Sequence, residues 1–461
     1  MSTARLTAAD ELYQELAAIV GLENVHIEGG CYDDCSHDAT DVIRPPLAAV
    51  TITSADVVPQ VLRAAAKRRI PVIARGAGTG YTGGATPEYG GIVLAFIGFN
   101  RILEINTNRK IAIVEPGIIT QVLADAAAAK GLFYPPDPAS VKESSIGGNV
   151  AECAGGLRCK KYGLTKDYIL GIEGYDIDGS LVQTGCFANS ETYDLGSILI
   201  GSEGTLVVIA KIALQLIDPP ASRRTFFATF ANQSDAADVV AGIMAAGVIP
   251  AVLEFMDGDA IDCTLEYLKW TDVIPAAAAL VIELDGEPAA VARETAAIVP
   301  IIKSHTPTQF EETADDVRRD YLWTLRRSIS RAITAAAKLR VSEDVCVPPS
   351  KLPRLVESLP ALAKKYSLRV NSFGHAGDGN LHVNFLATDD TPEIQERIHA
   401  AVVELFKITV AFDGTISGEH GIGTTKKDYL PIEVAPETLA LFRKIKSAFD
   451  PPNLVNPGKI F

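Results

Sequence analysis

Two short stretches hold the residues best suited to acid–base or metal chemistry. "SFGHAGDGNLHVNF" (372–385) carries His375 and His382 on either side of a glycine-rich turn, and "GTISGEHGIGTTKK" (414–427) sets Glu419 and His420 between glycines. "NSF" and "LHVNF" read as short strands, with Asp378-Gly379 as the hairpin turn between them. A turn centred there makes His375 face His382, and directly opposed residues have Cβ atoms roughly 4.5–5.5 Å apart. Both imidazoles then reach one ion or one substrate. Alone, such a hairpin is better read as two solvated histidines on a polar sheet face. The second stretch weighs against that reading, because no helix-forming run explains Glu419 and His420.

The elements that must position these residues belong to a large soluble chain. At 461 residues it is long for one core, so two domains are expected, and 48% apolar and 21% charged residues are ordinary for a globular protein. No apolar run approaches the ~20 residues that span a bilayer. The start, "MSTARLTAADELYQELAAIVG", reads as an amphipathic helix containing acids, not as a targeting peptide, so cytoplasm is the default. A net charge of −15 argues against nucleic acid as a partner but leaves a small anionic substrate open. The 7 cysteines match no common zinc or iron–sulfur spacing and read as reduced thiols, Cys153 being conspicuous inside a glycine-rich motif.

Residues 45–75 read strand, helix, strand, leading into "RGAGTGYTGG" (75–84). Gly78-x-Gly80-x-x-Gly83 formally matches a dinucleotide fingerprint, but that motif must open a helix, and "ATPEYGG" cannot continue one. A loop whose backbone N–H groups cradle a pyrophosphate in a different fold is the better reading. Further loops follow at "YPPDPAS" (134–140), "SSIGGNVAECAGG" (144–156) and "LIGSEGTL" (199–206), the second small and nearly uncharged, as suits a backbone lying against a planar ligand. A boundary falls near "IDPPASRR" (217–224). Beyond it, two strand–helix–strand units predict an α+β domain with helices on one side of a sheet, followed by a long helix around "DDVRRDYLWTLRRSISRAITAAAK".

This order of motifs, ending in "NPGKI", resembles the FAD-dependent D-2-hydroxyacid dehydrogenases of the vanillyl-alcohol-oxidase superfamily, which include the flavoprotein of glycolate oxidase and the D-lactate and D-2-hydroxyglutarate dehydrogenases. The resemblance covers roughly residues 40–461. It implies an α+β, two-domain flavoprotein: a PCMH-type FAD-binding domain over 1–216, an α/β cap domain with an antiparallel sheet over 217–435, and a segment 436–461 returning to the first domain. By motif match, pyrophosphate would lie on Arg75, Gly76, Ala77, Gly78, Thr79 and Gly80 with Thr82, Gly83 and Gly84. The isoalloxazine would lie near Pro138, Ala139, Ser140, Ser145, Gly147, Gly148, Asn149, Ala154, Gly155 and Gly156, with Glu203, Gly204, Thr205 and Leu206 on the adenine side. No histidine falls between His37 and His305, so FAD is expected to be non-covalent.

The resemblance also assigns His375, His382 and Glu419 as metal ligands and His420 as catalytic base. Chemistry supports that set independently: two imidazoles and a carboxylate, with open positions and no thiolate, suit zinc, manganese, iron or cobalt. A 2-hydroxy acid can chelate such an ion, which lowers the hydroxyl pKa for His420 to take the proton. The C2 hydrogen then passes as hydride to FAD N5, leaving a 2-oxo acid. Arg326 of "LWTLRR" is the candidate fork for the substrate carboxylate, set against a helix-surface arginine near Asp320 or Glu312; Lys426 is a second candidate. Three departures from the family pattern bear on substrate or acceptor: "VPPS" (347–350) lacks an arginine, Glu191-Thr192 replace small residues, and Tyr81 replaces a smaller one.

The sequence therefore predicts oxidation of glycolate or D-lactate with electrons leaving for a protein or quinone, through an electron-transfer flavoprotein or an iron–sulfur subunit. A homo-oligomer is admitted but not specified. The alternative is a flavin electron-transfer subunit with little turnover of its own. A third reading, a relative of alkylglycerone-phosphate synthase or of the phenol oxidases, lacks the paired-histidine hairpin.

Overall fold

The computed structural model describes residues 3–40, 42–188, 195–271, 273 and 275–461, so Glu191 and Thr192 lie outside the described residues. The chain forms two compact units: Met1–Gly155, Leu164–Pro219 and Glu419–Phe461 make one, and Gly156–Gly163 with Pro220–Gly418 make the other. Residues 156–163, which the sequence boundaries place with the first domain, go with the second unit, where Lys161 Nζ meets Asp285 Oδ1 at 2.8 Å and the Tyr162 hydroxyl donates to Asp285 Oδ2 at 2.7 Å. Residues 419–435 go with the first unit, where the Thr424 N–H donates to the Thr82 carbonyl at 2.7 Å.

The first unit has two sheets. In the smaller, the strands run Val25–His26, Ala48–Thr51, Ile92–Ala95, Val72–Arg75, with the last three parallel. Parallel neighbours need a crossover. The helix Val58–Lys67 makes the crossover from Ala48–Thr51 to Val72–Arg75, leaving room between them for Ile92–Ala95, and buries Val58, Val61, Leu62 and Ala65 at helical spacing against the sheet. The larger sheet is antiparallel, in the order Ile102–Asn106, Ile111–Val114, Val208–Gln215, Ile169–Tyr175, Leu181–Gln183. The chain end joins this unit: Val455 bridges Val72 in parallel, and buried Lys459 donates to the Thr86 carbonyl at 2.7 Å.

The second unit is built on a seven-stranded antiparallel sheet in the order Gln309–Thr313, Ser222–Phe230, Ala278–Gly286, Val252–Asp257, Arg369–His375, Asn380–Ala387, Leu339–Cys346. Both strand–helix–strand units are present, with the helices Gln233–Ala245 and Pro288–Ser304. Helices do not keep to one side. Every residue of Val252–Asp257 is buried, which requires cover on both faces. One cover is the helix pair Gly258–Leu268 and Asp316–Ala335, whose Leu322, Leu325 and Ile329 pack on Phe227, Val252, Met256, Val281 and Phe373. Strand side chains alternate, so Glu254 and His375 point to that same face. Among the described residues no helix is long and apolar enough to cross a membrane.

Candidate functional site

The histidine hairpin is offset from the symmetric turn. Phe373, not His375, pairs with His382, because the turn spans four residues, with Asp378 N–H to the His375 carbonyl at 3.0 Å and Gly379 N–H to the Ala376 carbonyl at 3.1 Å. Gly379 takes φ +81° and packs so closely that a methyl there would meet the Val347 carbonyl at 1.8 Å. The two-residue shift in register keeps both histidines on one face, since strand side chains repeat every second residue. Their ring centroids stand 5.5 Å apart with planes at 88°, and both side chains are buried.

Glu254 comes from the neighbouring strand, in register with His375. It is fully buried; Oε1 lies 2.7 Å from His375 Nδ1, and Oε2 accepts from Arg326 Nε at 2.6 Å. Arg326 is thus neither on the helix surface nor beside Asp320 or Glu312. Its guanidinium is buried over the Phe373 ring, 4.9 Å from the centroid. Asp344, also fully buried, pairs directly with His382.

The division between the units falls on the Gly418–Glu419 peptide bond. Gly418 is held in the second unit, its N–H donating at 3.3 Å to the carbonyl of Asp344, the strand partner of His382. The residue bonded to Gly418 therefore emerges beside the imidazoles, and one donor atom each of His375, His382 and Glu419 lie within 4.8 Å of one another. Two imidazoles and a carboxylate at this spacing fit a divalent ion of borderline hardness. His420 follows. Its carbonyl accepts from Thr82 Oγ1 at 3.3 Å, and its ring stacks on Tyr81 with centroids 5.0 Å apart, which places the unusual residue of the 75–84 loop against the base candidate.

The cofactor candidates of the first unit are joined largely by contacts between a side chain and a peptide group. Arg75 ends a strand and donates to the His37 carbonyl at 2.6 Å; Gly78 and Gly83 follow at φ +69° and +78°. A methyl on Gly76 would meet Ser145 Oγ at 2.0 Å, so the 75–84 and 144–156 stretches are in contact. The latter is not a loop throughout: Ile146–Glu152 is a helix, capped where Ser145 Oγ accepts the Gly148 N–H at 3.2 Å and closed by Cys153 at φ +51°. Gly147 is needed because a methyl there would meet the Pro116 Cβ at 2.5 Å and its carbonyl at 2.9 Å. Asn149 Nδ2 donates to Thr120 Oγ1 at 2.7 Å, and the Ala154 carbonyl accepts from Thr165. The Pro138 and Ser140 carbonyls close the 138–144 turn by accepting from Val141, and from Glu143 and Ser144.

Glu203 sits at φ +52°, with its oxygens accepting the Ile422 and Gly423 N–H groups at 2.7 Å each. Asn456 Nδ2 donates to the Gly84 and Glu203 carbonyls at 2.9 and 2.8 Å, tying the tail to both loops. Burial and the adjacent Glu203 push the Glu152 carboxyl well above its usual range. Burial likewise raises the Cys153 thiol, which is therefore not an activated nucleophile. Tight turns and glycines whose Cβ space is taken suit a bound dinucleotide.

Sequence reasoning missed Glu254 and Asp344. A signal existed for Glu254: it is the one acid inside "VLEFM", and a charge within a buried strand needs a partner.

Comparison with known proteins bears on both units. Residues 219–460 match the model for the C-terminal domain of FAD linked oxidases, and residues 46–185 match an FAD binding domain. The chain is 36% identical to a glycolate oxidase subunit of Bacillus subtilis (strain 168), over 98% of this chain and 97% of that protein. It is 32% identical to a D-lactate dehydrogenase of Anaerostipes hadrus, over 93% of this chain and 92% of that protein. Among solved structures, p-cresol methylhydroxylase superposes with a TM-score of 0.80 at 17% identity, covering 100% of this chain and 97% of that one. Alkyldihydroxyacetonephosphate synthase gives 0.75 at 17%, covering 97% and 85%. At that identity the likeness is one of fold.

Proposed function

The chain belongs to the FAD-linked oxidases, and from that premise we propose that it oxidises a small D-2-hydroxy acid, glycolate or D-lactate, to the 2-oxo acid. It is an FAD-dependent oxidoreductase. The observation that carries the substrate class is the donor cluster of His375, His382 and Glu419, immediately followed by His420. When bound, FAD supplies a hydride acceptor and a divalent metal supplies a Lewis acid for the substrate oxygens.

The protein's own groups do the rest. His375, His382 and Glu419 hold the ion. His420, steadied by Tyr81, takes the proton of the substrate hydroxyl. Arg326 orients the substrate carboxylate, in the manner of a guanidinium fork already fixed at Nε by Glu254. Residues 75–84, 138–140, 145–149, 154–156 and 203–206 hold FAD without a covalent link. Electrons leave for a protein or quinone acceptor. The Bacillus relative is named as one subunit of an oxidase, which supports an electron-transfer flavoprotein or an iron–sulfur protein as that partner.

An anaerobic titration of the metal-loaded flavoprotein with glycolate, D-lactate and L-lactate tests the proposal. Bleaching of the flavin by glycolate or the D-acid, and not by the L-acid, is expected. Flavin that none of them bleaches would overturn it and favour an electron-transfer role.

A further inference from the structure

The proposed oxidation has no step for Glu254, a charged side chain placed at the centre of a buried sheet face with its oxygens committed in two directions. One faces His375 Nδ1 at 2.7 Å and the other Arg326 Nε at 2.6 Å. We propose that Glu254 is the positioning residue of the site. It holds His375 with the ring proton on Nδ1 and the lone pair of Nε2 turned to the ion, and it holds Arg326 in place for the substrate. This rests on the reading of His375, His382 and Glu419 as metal ligands given above.

The argument is one of donors and acceptors. A carboxylate only accepts, so a neutral imidazole 2.7 Å away bonds to it through the nitrogen that carries hydrogen. That leaves Nε2 without a proton, the state a metal ligand must have. The geometry is rigid because Glu254 and His375 are strand partners, and Arg326 descends onto the same face from the helix Asp316–Ala335. Arg326 also neutralises the carboxylate, so His375 need not be protonated to satisfy it. Glutamine of the same size breaks this logic. Its amide can present N–H to Nδ1, which moves the ring proton to Nε2 and opposes binding.

The test is a titration of metal-free, flavin-loaded protein with zinc alone against a fluorescent chelator, for the native chain, Glu254→Gln and His382→Ala. Glu254→Gln is expected to weaken zinc roughly 10–100-fold, the usual effect of losing such an outer partner, with flavin content retained. His382→Ala is expected to abolish the site. Native zinc affinity in His382→Ala would overturn the metal reading itself. Loss of zinc in His382→Ala with native affinity in Glu254→Gln would overturn the positioning role alone. Should Glu254→Gln not fold, the native protein still decides, through a long-range ¹H–¹⁵N spectrum of histidine-labelled, metal-free protein with His375 assigned by its loss in His375→Gln. A proton on Nδ1 is expected; a proton on Nε2 overturns the proposal.

Discussion

The candidate cofactor loops and the histidine face are held in different ways. In the first unit, each contact has a peptide group on one side: Gly147 pressed on Pro116, the Asn456 side chain bridging the carbonyls of Gly84 and Glu203, the Ile422 and Gly423 amides on the Glu203 carboxylate. In the second unit, paired strands carry a network of side chains: Glu254 between His375 and Arg326, and Asp344 opposite His382. A surface made of backbone tolerates no added atom. A network of buried charges tolerates no removed one, because each partner left behind keeps its desolvation cost.

Substitutions at the two regions should separate these modes. The largest effect is expected from Arg326→Ala. It strands Glu254 as a buried, uncompensated carboxylate and should cost about 3–5 kcal/mol in denaturant unfolding. A loss of a few tenths would mean that the face is not a charge network. Gly147→Ala comes next: the added methyl overpacks against Pro116 and should cost about 1–3 kcal/mol, with reduced FAD content in the purified protein. Full flavin retention there would break the picture of a backbone-built cradle.

A third effect is small at any single step of pH and accumulates gradually across the range. Asp257 accepts from the Ala260 N–H at 2.9 Å and the Ser372 hydroxyl at 3.0 Å, yet burial pushes it up to about 7. The folded chain then binds this proton more tightly than the unfolded one, whose aspartate titrates near ~3.9. The contribution is whole below that value and is lost as pH rises towards 7. Asp257→Asn should flatten the stability profile between those limits by up to about 1.4 kcal/mol per pH unit. Parallel profiles for the two proteins would place the Asp257 pKa in the ordinary range.

The same contrast explains what could be read in advance. Glycines at forced positions leave a record in the local sequence, so "RGAGTGYTGG" could be read as a candidate phosphate-cradling loop and "GSEGTL" as a turn, while the cofactor role of the second came only from the resemblance. "SSIGGNVAECAGG" was harder: its glycines argue against a helix, and only the Ser145 cap and the packing of Gly147 show why one forms. The hairpin was legible as a hairpin, but its register was not. Turn propensity favours the short loop, while the close packing of Gly379 on Val347 accompanies the longer one.

By itself, then, the amino-acid order determined the class of fold, the candidate cofactor loops and the identity of the metal-donor candidates, since each of those is written in neighbouring residues or in alternation along a strand. Only the tertiary structure decided that Arg326 is buried, that helices cover both faces of the sheet, and that Glu254 meets a histidine 121 positions away. The reason is that strand order is set by how two faces of a sheet are buried, and no local run of sequence records which strand will lie beside which.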